Sequence, residues 1–205
     1  MGAWNRVFAA LYDRGLARAE RAGLADARQS LLAGARGRVL ELGAGTGLNL
    51  AHYPAGTELV VTEPDAEMAK RLRRRRAEVV LAGAEELPFP DGSFDTVVST
   101  LVFCTVRDLP AALRETRRVL APGGRLLFLE HVRAEPGTPT ARWQNRLHRP
   151  WRALACGCNC NRDFLAALAA EGFAVAELRR ESWPFLPAIV RPVVIGGATP
   201  VSAAS

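Results

Sequence analysis

The sequence predicts an α/β protein: a doubly wound, mostly parallel seven-stranded sheet beneath an N-terminal helical cover. Three observations predict it. Short apolar runs alternate with amphipathic stretches along residues 38–131, the pattern of successive strand–helix–strand units. The run Phe94–Thr100 places Val97 beside Val98 instead of alternating polarity, as a parallel strand buried on both faces does. The apolar run Arg38–Leu42 leads directly into Gly43-Ala44-Gly45-Thr46-Gly47, a strand-to-glycine-turn junction of the kind at which such sheets bind ligands.

The chain has 205 residues, enough for one domain with a substantial core, and its 49% hydrophobic and 23% charged residues are ordinary for a soluble globular protein. The expected organisation is a single domain over 1–198, with a lid at 1–34, a substrate-side insertion at 132–161 and a flexible tail at 199–205. The longest uncharged apolar stretch, near Val97–Val106, is about half of the roughly 20 residues that a membrane span needs. Arg6, Asp13 and Arg14 interrupt the N-terminus before any signal-like apolar block, so a cytoplasmic location is expected. The net charge is +6, carried almost wholly by arginine, with Lys70 the sole lysine. No lysine-rich arm or interleaved aromatic platform accompanies it, so no nucleic-acid partner is expected. The sequence is silent on oligomeric state.

In chain order, Trp4–Leu32 carries apolar residues at three- and four-residue steps with arginines between them, an amphipathic helical region interrupted at Gly15 and Gly23. It reads as a cover, or as a lid that brings Tyr12 over a ligand. A weak contact of its arginine-rich face with a membrane surface is a third reading. Strand one, Arg38–Leu42, is followed by the glycine loop and a short helix through His52. The G-x-G-x-G form departs from the dinucleotide pattern. Glu41, two residues before the first glycine, would repel a pyrophosphate and suits a cationic ligand such as S-adenosyl-L-methionine (SAM).

Strand two, Glu58–Glu63, ends in an acid about twenty residues after the loop, where this topology sets a carboxylate on a ribose. Asp65 caps a helix over Ala66–Arg76. Its terminal run Arg73–Arg76 reads as a solvated face rather than a phosphate site. Strand three is Glu78–Ala82, then a loop over Gly83–Pro90, a turn at Asp91-Gly92 and strand four, Phe94–Thr100. Leu101–Thr105 leaves that strand. Asp108 caps a helix over Leu109–Leu120, Pro122-Gly123-Gly124 turns the chain, and strand five runs Arg125–His131. An insertion follows at Thr138–Leu154, then a helix at Arg162–Glu171, strand six at Phe173–Leu178 and strand seven at Ile189–Ile195, ended by Gly196-Gly197.

These pieces in this order resemble the class I SAM-dependent methyltransferases, with their Rossmann-like fold. The matching motifs are Val39–Gly47, Glu63-Pro64, Glu85–Asp95 and Arg118–Gly124. The resemblance implies that Glu41, Gly43, Gly45 and Gly47 hold the methionine part of SAM, Glu63 the ribose, and Ala84 and Glu85 the adenine. Ala44, Asn49, Pro64 and Met68 also belong to the implied cofactor set. Thr100, Leu101 and Tyr12 complete the implied cofactor set. Many members carry Asp-Ala before that glutamate, where this chain has Gly83-Ala84. Thr100–Val106, Leu129–Val132, Trp143-Gln144, Pro150-Trp151 and Gly157–Asn159 further resemble the small thiol S-methyltransferases of the animal methyltransferase-like group. Those enzymes are anchored by an N-terminal apolar segment. No such segment is seen here, so a soluble bacterial relative is the expectation.

The implied reaction is methyl transfer to a small apolar acceptor, a thiol first. A phospholipid amine or a quinone is the alternative acceptor, and a non-catalytic SAM- or metal-binding regulator is the rival from another class. A thiol has a pKa near 8.5, so a base or cation beside it would enlarge the reactive thiolate fraction. His131, at the end of strand five, is the candidate base, with an ordinary pKa near 6.5; the alternative is a hydrogen bond to the following loop. Glu130 would orient His131 or bond the insertion. Cys104, Trp143 and Trp151 are assigned to the acceptor pocket. In an extended chain, Cys156, Cys158 and Cys160 would set three sulfurs on one face, suiting a soft metal or metalloid. They lack the C-x-x-C spacing of structural zinc sites, and no metal is assigned.

Overall fold

A computed structural model of the chain describes residues 3–75, 78–183 and 185–201. Seven strands form one sheet: β1 (Arg38–Leu42), β2 (Glu58–Thr62), β3 (Val79–Val80), β4 (Phe94–Thr100), β5 (Leu120–His131), β6 (Phe173–Ser182) and β7 (Pro192–Pro200). Their order is β3-β2-β1-β4-β5-β7-β6. The first five run parallel, and β7 lies antiparallel between β5 and β6. The strand order reverses between β1 and β4, which opens a crevice at their carboxyl ends.

Because side chains alternate along a strand, each buried strand feeds two cores. Leu40, Leu42, Val97, Leu126 and Phe128 face one core, which is closed by α4 (Leu109–Val119) and α6 (Phe164–Ala170). Val39, Val98, Leu127 and Leu129 face the other, which is closed by the N-terminal region. That region comprises α1 (Ala3–Ala19), a wide turn at Glu20–Leu24 and α2 (Ala25–Leu32). The break falls at Gly23, with φ 117°, whereas Gly15 stays inside α1.

Asp65 caps α3 (Ala66–Arg73), accepting from the Glu67 and Met68 amides, and Asp108 caps α4 through the Ala111 amide. At the C-terminal end of α3, Arg73, Arg74 and Arg75 are exposed, in keeping with a solvated face. Arg75 also turns back, its Nη1 donating to the Gly47 carbonyl at 3.0 Å and its Nη2 lying 3.6 Å from Asp13. Arg76, the last of the arginine run, lies outside the described residues.

Several boundaries differ from the sequence reading. No helix follows the glycine loop: residues 45–52 form successive turns closed by three-residue hydrogen bonds such as Gly47 N to Ala44 O and His52 N to Asn49 O. Strand three shrinks to two residues. The C-terminal strands are longer than expected, because Gly196 and Gly197 sit inside β7. A Cβ at Gly196 would stand 2.1 Å from the Glu177 carbonyl and 2.9 Å from the Phe128 ring, so glycine there permits close strand approach across a bulge in β6. Thr199 and Pro200, expected in the tail, pair with Ala174 and Phe173. Residues 202–205 lie outside the described residues. Ile189 and Val190 form a 3₁₀ turn before β7 rather than its start.

Candidate active site

A cavity of about 1430 Å3 opens at the carboxyl ends of β1, β2, β4 and β5. Its floor is the glycine loop. Gly43 has φ 51°, and a Cβ there would stand 2.9 Å from both Val102 methyls. Gly45 has φ 59°, but a Cβ there would find nothing closer than the Gly43 carbonyl at 3.9 Å, so bare backbone faces the space. Both positions therefore need glycine, one for fit and conformation, the other for conformation and access.

Glu63 closes one side. Its Oε2 accepts from the Gly45 amide and its Oε1 from the Asp65 amide, both at 2.8 Å, tying the end of β2 to the loop. Burial pushes its pKa up against the pull of these two bonds. Pro64 and Met68 continue this wall, and Ala84 and Glu85 stand on the loop after β3. Glu85 accepts from the Arg107 amide at 2.7 Å. Arg118 props the same loop, donating to the Phe89 and Leu87 carbonyls at 2.8 and 2.9 Å, while Glu115 accepts from the Leu87 amide at 2.8 Å.

Helix α1 covers part of the cavity. Leu11, Tyr12, Gly15 and Leu16 line the cavity, and desolvation pushes the Tyr12 hydroxyl up to about 12. The helix is tied to the glycine loop by the Thr46 hydroxyl, which donates to Asp13 at 2.5 Å.

Five residues expected at the cofactor, Glu41, Ala44, Gly47, Asn49 and Thr100, lie behind the cavity wall instead of lining it. Ala44 donates to the Thr62 carbonyl, and Gly47 packs where a Cβ would stand 2.7 Å from Leu72 Cδ1. Glu41 is buried and accepts from Asn49 Nδ2 at 2.9 Å and the Tyr53 hydroxyl at 2.8 Å; desolvation raises its pKa to about 7. Arg28, also buried, donates to Asn49 Oδ1 and Thr100 Oγ1 at 2.9 and 3.1 Å and pairs with Glu20 at 3.1 Å. This network sets the loop's backbone and gives the region behind it a cation and an acid. Arg28 and Tyr53 were missed in the sequence, because neither belongs to a motif and an arginine in an amphipathic repeat reads as surface.

The opposite wall brings together Leu101, assigned to the cofactor set, with His131, Cys104 and Trp151, and the fold adds Cys156, Cys158, Leu186 and Val190. Leu101 adopts φ 62°, unusual for a branched residue and a sign of local strain beside the cavity. Glu130 does not orient His131 and does not reach the insertion. It is fully buried and accepts from Ser99 Oγ at 2.6 Å and from the Val102, Phe103 and Cys104 amides at 2.9, 3.1 and 3.4 Å. Alternation along β5 explains this: neighbouring residues point to opposite faces, so Glu130 cannot share the direction of His131. Desolvation raises its pKa to about 7. It is the clamp of the loop that leaves β4.

His131 is 9% exposed, and its Nδ1 has no hydrogen-bond partner. Burial pushes its pKa down to about 4, so the ring is neutral at pH 7 and much less basic than the ordinary value suggests.

Trp143 is not in the pocket. It is 53% exposed, with the Arg146 guanidinium 5.8 Å from its ring. It lies on α5 (Pro139–Leu154), whose inward residue is Gln144. Gln144 donates to the Val132 and Ile189 carbonyls and accepts from the Ala134 amide, and one helical step of about 100° turns Trp143 away. The cysteine run is not extended either. Cys156 has φ 45° and Gly157 φ 99°, so the chain bends; Cys156 and Cys158 line the cavity while Cys160 is buried near the Gln144 carbonyl. Among the described residues no group of three or more histidine, cysteine or acidic side chains is placed to hold a metal ion.

A family model described as a methyltransferase domain matches residues 40–128. Thiol S-methyltransferase TMT1A of Homo sapiens is 36% identical over 200 residues, covering 93% of this chain and 82% of that protein. Thiol S-methyltransferase TMT1B of Homo sapiens is 36% identical over 169 residues, covering 78% and 69%. A solved SAM-dependent methyltransferase from Thermotoga maritima shares the fold, with a TM-score of 0.72 and 22% identity over 96% of this chain and 97% of its own. With the glycine-floored crevice and the acid at the end of β2 in place, the chain belongs to the SAM-dependent methyltransferases.

Proposed function

We propose that this methyltransferase moves the methyl group of SAM onto a small apolar thiol. One observation carries the reading. A single cavity runs from Gly43, Gly45 and Glu63 to a wall of apolar and sulfur side chains around the unpartnered His131 Nδ1. Its volume of about 1430 Å3 exceeds the roughly 300–1,000 Å3 of a pocket for one small ligand, leaving room for cofactor and acceptor together. The names of the two human relatives support a thiol as the acceptor.

The residues present fit SAM. Bare backbone at Gly45 admits the methionine part, and Glu63 keeps acceptor capacity for a ribose diol beyond its two amide bonds. Met68, Ala84 and Glu85 frame the adenine. When bound, SAM supplies an electrophilic methyl on a positive sulfur. The protein positions the acceptor behind that methyl, a contribution that reaches about 7–11 kcal/mol in well-oriented systems. The Leu101–Cys104 loop, clamped by Glu130, and Trp151 form the apolar walls that hold it.

His131 is neutral at pH 7 and too weakly basic to ionise a thiol in the ground state, so it acts as a hydrogen-bond partner that orients the acceptor sulfur. Solvent takes the thiol proton, and the rate follows the acceptor's thiolate fraction. A cytoplasmic setting belongs to the same reading, since four free cysteines suit a reducing compartment.

The test is turnover of purified protein with SAM against alkyl thiols, a phospholipid amine and a demethylated quinone, measuring S-adenosylhomocysteine and methylated product. Thioether formation supports the proposal. Methylation of the amine or quinone without any thiol product overturns it.

A further inference from the structure

The two sides of the cavity differ in charge. Every charged residue that lines it lies between Glu63 and Asp108, on the loops that follow β2, β3 and β4. The lining drawn from α1, from residues 151–158 and from residues 186–190 carries no charged side chain.

That uncharged side does not stop at the cavity. Leu11 lines it and is still 50% exposed, and Phe185, next to the lining Leu186, is 57% exposed. Val7, one helical turn before Leu11 and on the same face of α1, is exposed as well. The two segments stand together. Leu16 packs against the core cluster that contains Leu186 and Val190, and a Cβ on Gly23 would stand 3.7 Å from the Trp183 indole nitrogen. Single exposed apolar residues are ordinary on a protein surface, but these carry the apolar lining of one cavity out onto its rim.

We infer that the acceptor thiol bears a hydrocarbon tail, which leaves the cavity between α1 and residues 185–187 and lies over Leu11 and Phe185. The inference rests on the acceptor reading above and narrows its substrate class to medium-length alkyl thiols. The tail is uncharged, because nothing on that side would pair with a buried charge. It is long enough to reach the rim, because the exposed apolar side chains lie there rather than inside. Each methylene moved from water onto apolar side chains favours binding by about two- to fourfold. The far end of the tail stays in water, so a polar group is tolerated at that end.

The experiment compares ω-hydroxyalkanethiols with the full-length protein and SAM, from 4-mercapto-1-butanol through 8-mercapto-1-octanol to 11-mercapto-1-undecanol. The value of kcat/KM should rise about fifteenfold or more from mercaptobutanol to mercaptooctanol, then level off once the hydroxyl clears the rim. Leu11→Ser and Phe185→Ser should each lower the mercaptooctanol-to-mercaptobutanol ratio by about fourfold or more, whereas Trp143→Ser should leave it unchanged. The ratio is internal to each preparation, so a partly unfolded variant does not move it. A peak at a short chain followed by a fall, or a ratio indifferent to both rim variants, overturns the inference. Phosphatidylcholine vesicles form a further arm: sedimentation with them that depends on Phe185, together with indifference to chain length, would give the rim to a lipid surface and overturn it too. Calorimetry with the unreactive thioethers separates this inference from the acceptor reading. Tighter binding of 8-methylthio-1-octanol than of 4-methylthio-1-butanol, without turnover of any thiol, would overturn the acceptor and leave the tail path standing; thiol turnover indifferent to chain length would do the reverse.

Discussion

Two walls enclose the cavity, and they are assembled differently. The wall at the glycine loop and Glu63 comes from residues 43–68, with its polar atoms bonded to neighbours and a buried network of Arg28, Glu41, Asn49 and Thr100 behind it. The facing wall draws Leu101–Cys104, His131, Trp151–Cys158 and Leu186–Val190 from four separate segments, and two of its buried nitrogens have no partner. On the proposed function, the first wall is the one preorganised for SAM and the second, with polar atoms left for an incoming group, is where acceptor choice resides.

Breaking the first wall should have the largest effect. Gly45→Val puts a branched side chain at φ 59° and fills bare backbone, and Glu63→Ala removes both loop ties and the diol acceptor. Each should weaken SAM binding by about a hundredfold or more, measured by calorimetry, as the loss of charge-assisted bonds of about 1.5–3 kcal/mol each implies. Unchanged affinity in both would remove the cofactor from this crevice.

The clamp between the walls comes next. Glu130→Gln replaces an acceptor of four hydrogen bonds with a group that donates at one end, opposite amides that also donate. A loss of about 1–3 kcal/mol in chemical denaturation is expected, with a fall in kcat larger than any change in SAM affinity.

His131→Asn should sharpen the contrast from the other side. SAM affinity should stay within about twofold while kcat/KM for a thiol drops about tenfold, the loss of one orienting hydrogen bond. In the unmodified protein, thiol methylation should rise about tenfold per pH unit below the acceptor's own pKa and show no inflection near 6.5, because burial has moved the His131 transition to about 4. Trp151→Ala should raise the acceptor KM several-fold, whereas Trp143→Ala, at an exposed site, should leave it unchanged.

Stability against pH tests the buried carboxylates behind both walls. Glu41 and Glu130 hold their protons more tightly folded than unfolded, with pKa values raised from about 4.5 to about 7. Their contribution is fully present below about pH 4.5 and is lost as pH rises through 7. The thermal midpoint should therefore decline between pH 5 and 8, and Glu41→Gln should flatten part of that decline.

Much of the first wall was legible in the sequence because it is local. Gly43, Gly45 and Glu63 lie within a single strand–turn–strand–helix unit, where spacing places them, and the family resemblance adds Pro64 and Met68 from the same unit. Direction is what spacing does not carry. The family resemblance sets Glu41 at the ligand, yet it turns into the Asn49–Tyr53 network. Trp143 is expected in the pocket wall, yet Gln144 faces inward on α5. Glu130 is expected to orient His131 or to bond the insertion, yet the two point to opposite faces of β5.

By itself the sequence determined the strand–helix alternation, the glycine loop, the acid after β2 and the class of chemistry, since each depends on neighbours within a few residues. Only the tertiary structure decided that Arg28 is a core residue, that Glu130 is a clamp, that burial keeps His131 neutral, and that the Asn159 amide meets the Cys104 carbonyl across more than fifty residues of chain. Burial, desolvation and contact across the sheet exist only once distant segments pack, and no spacing along the chain encodes them one residue at a time.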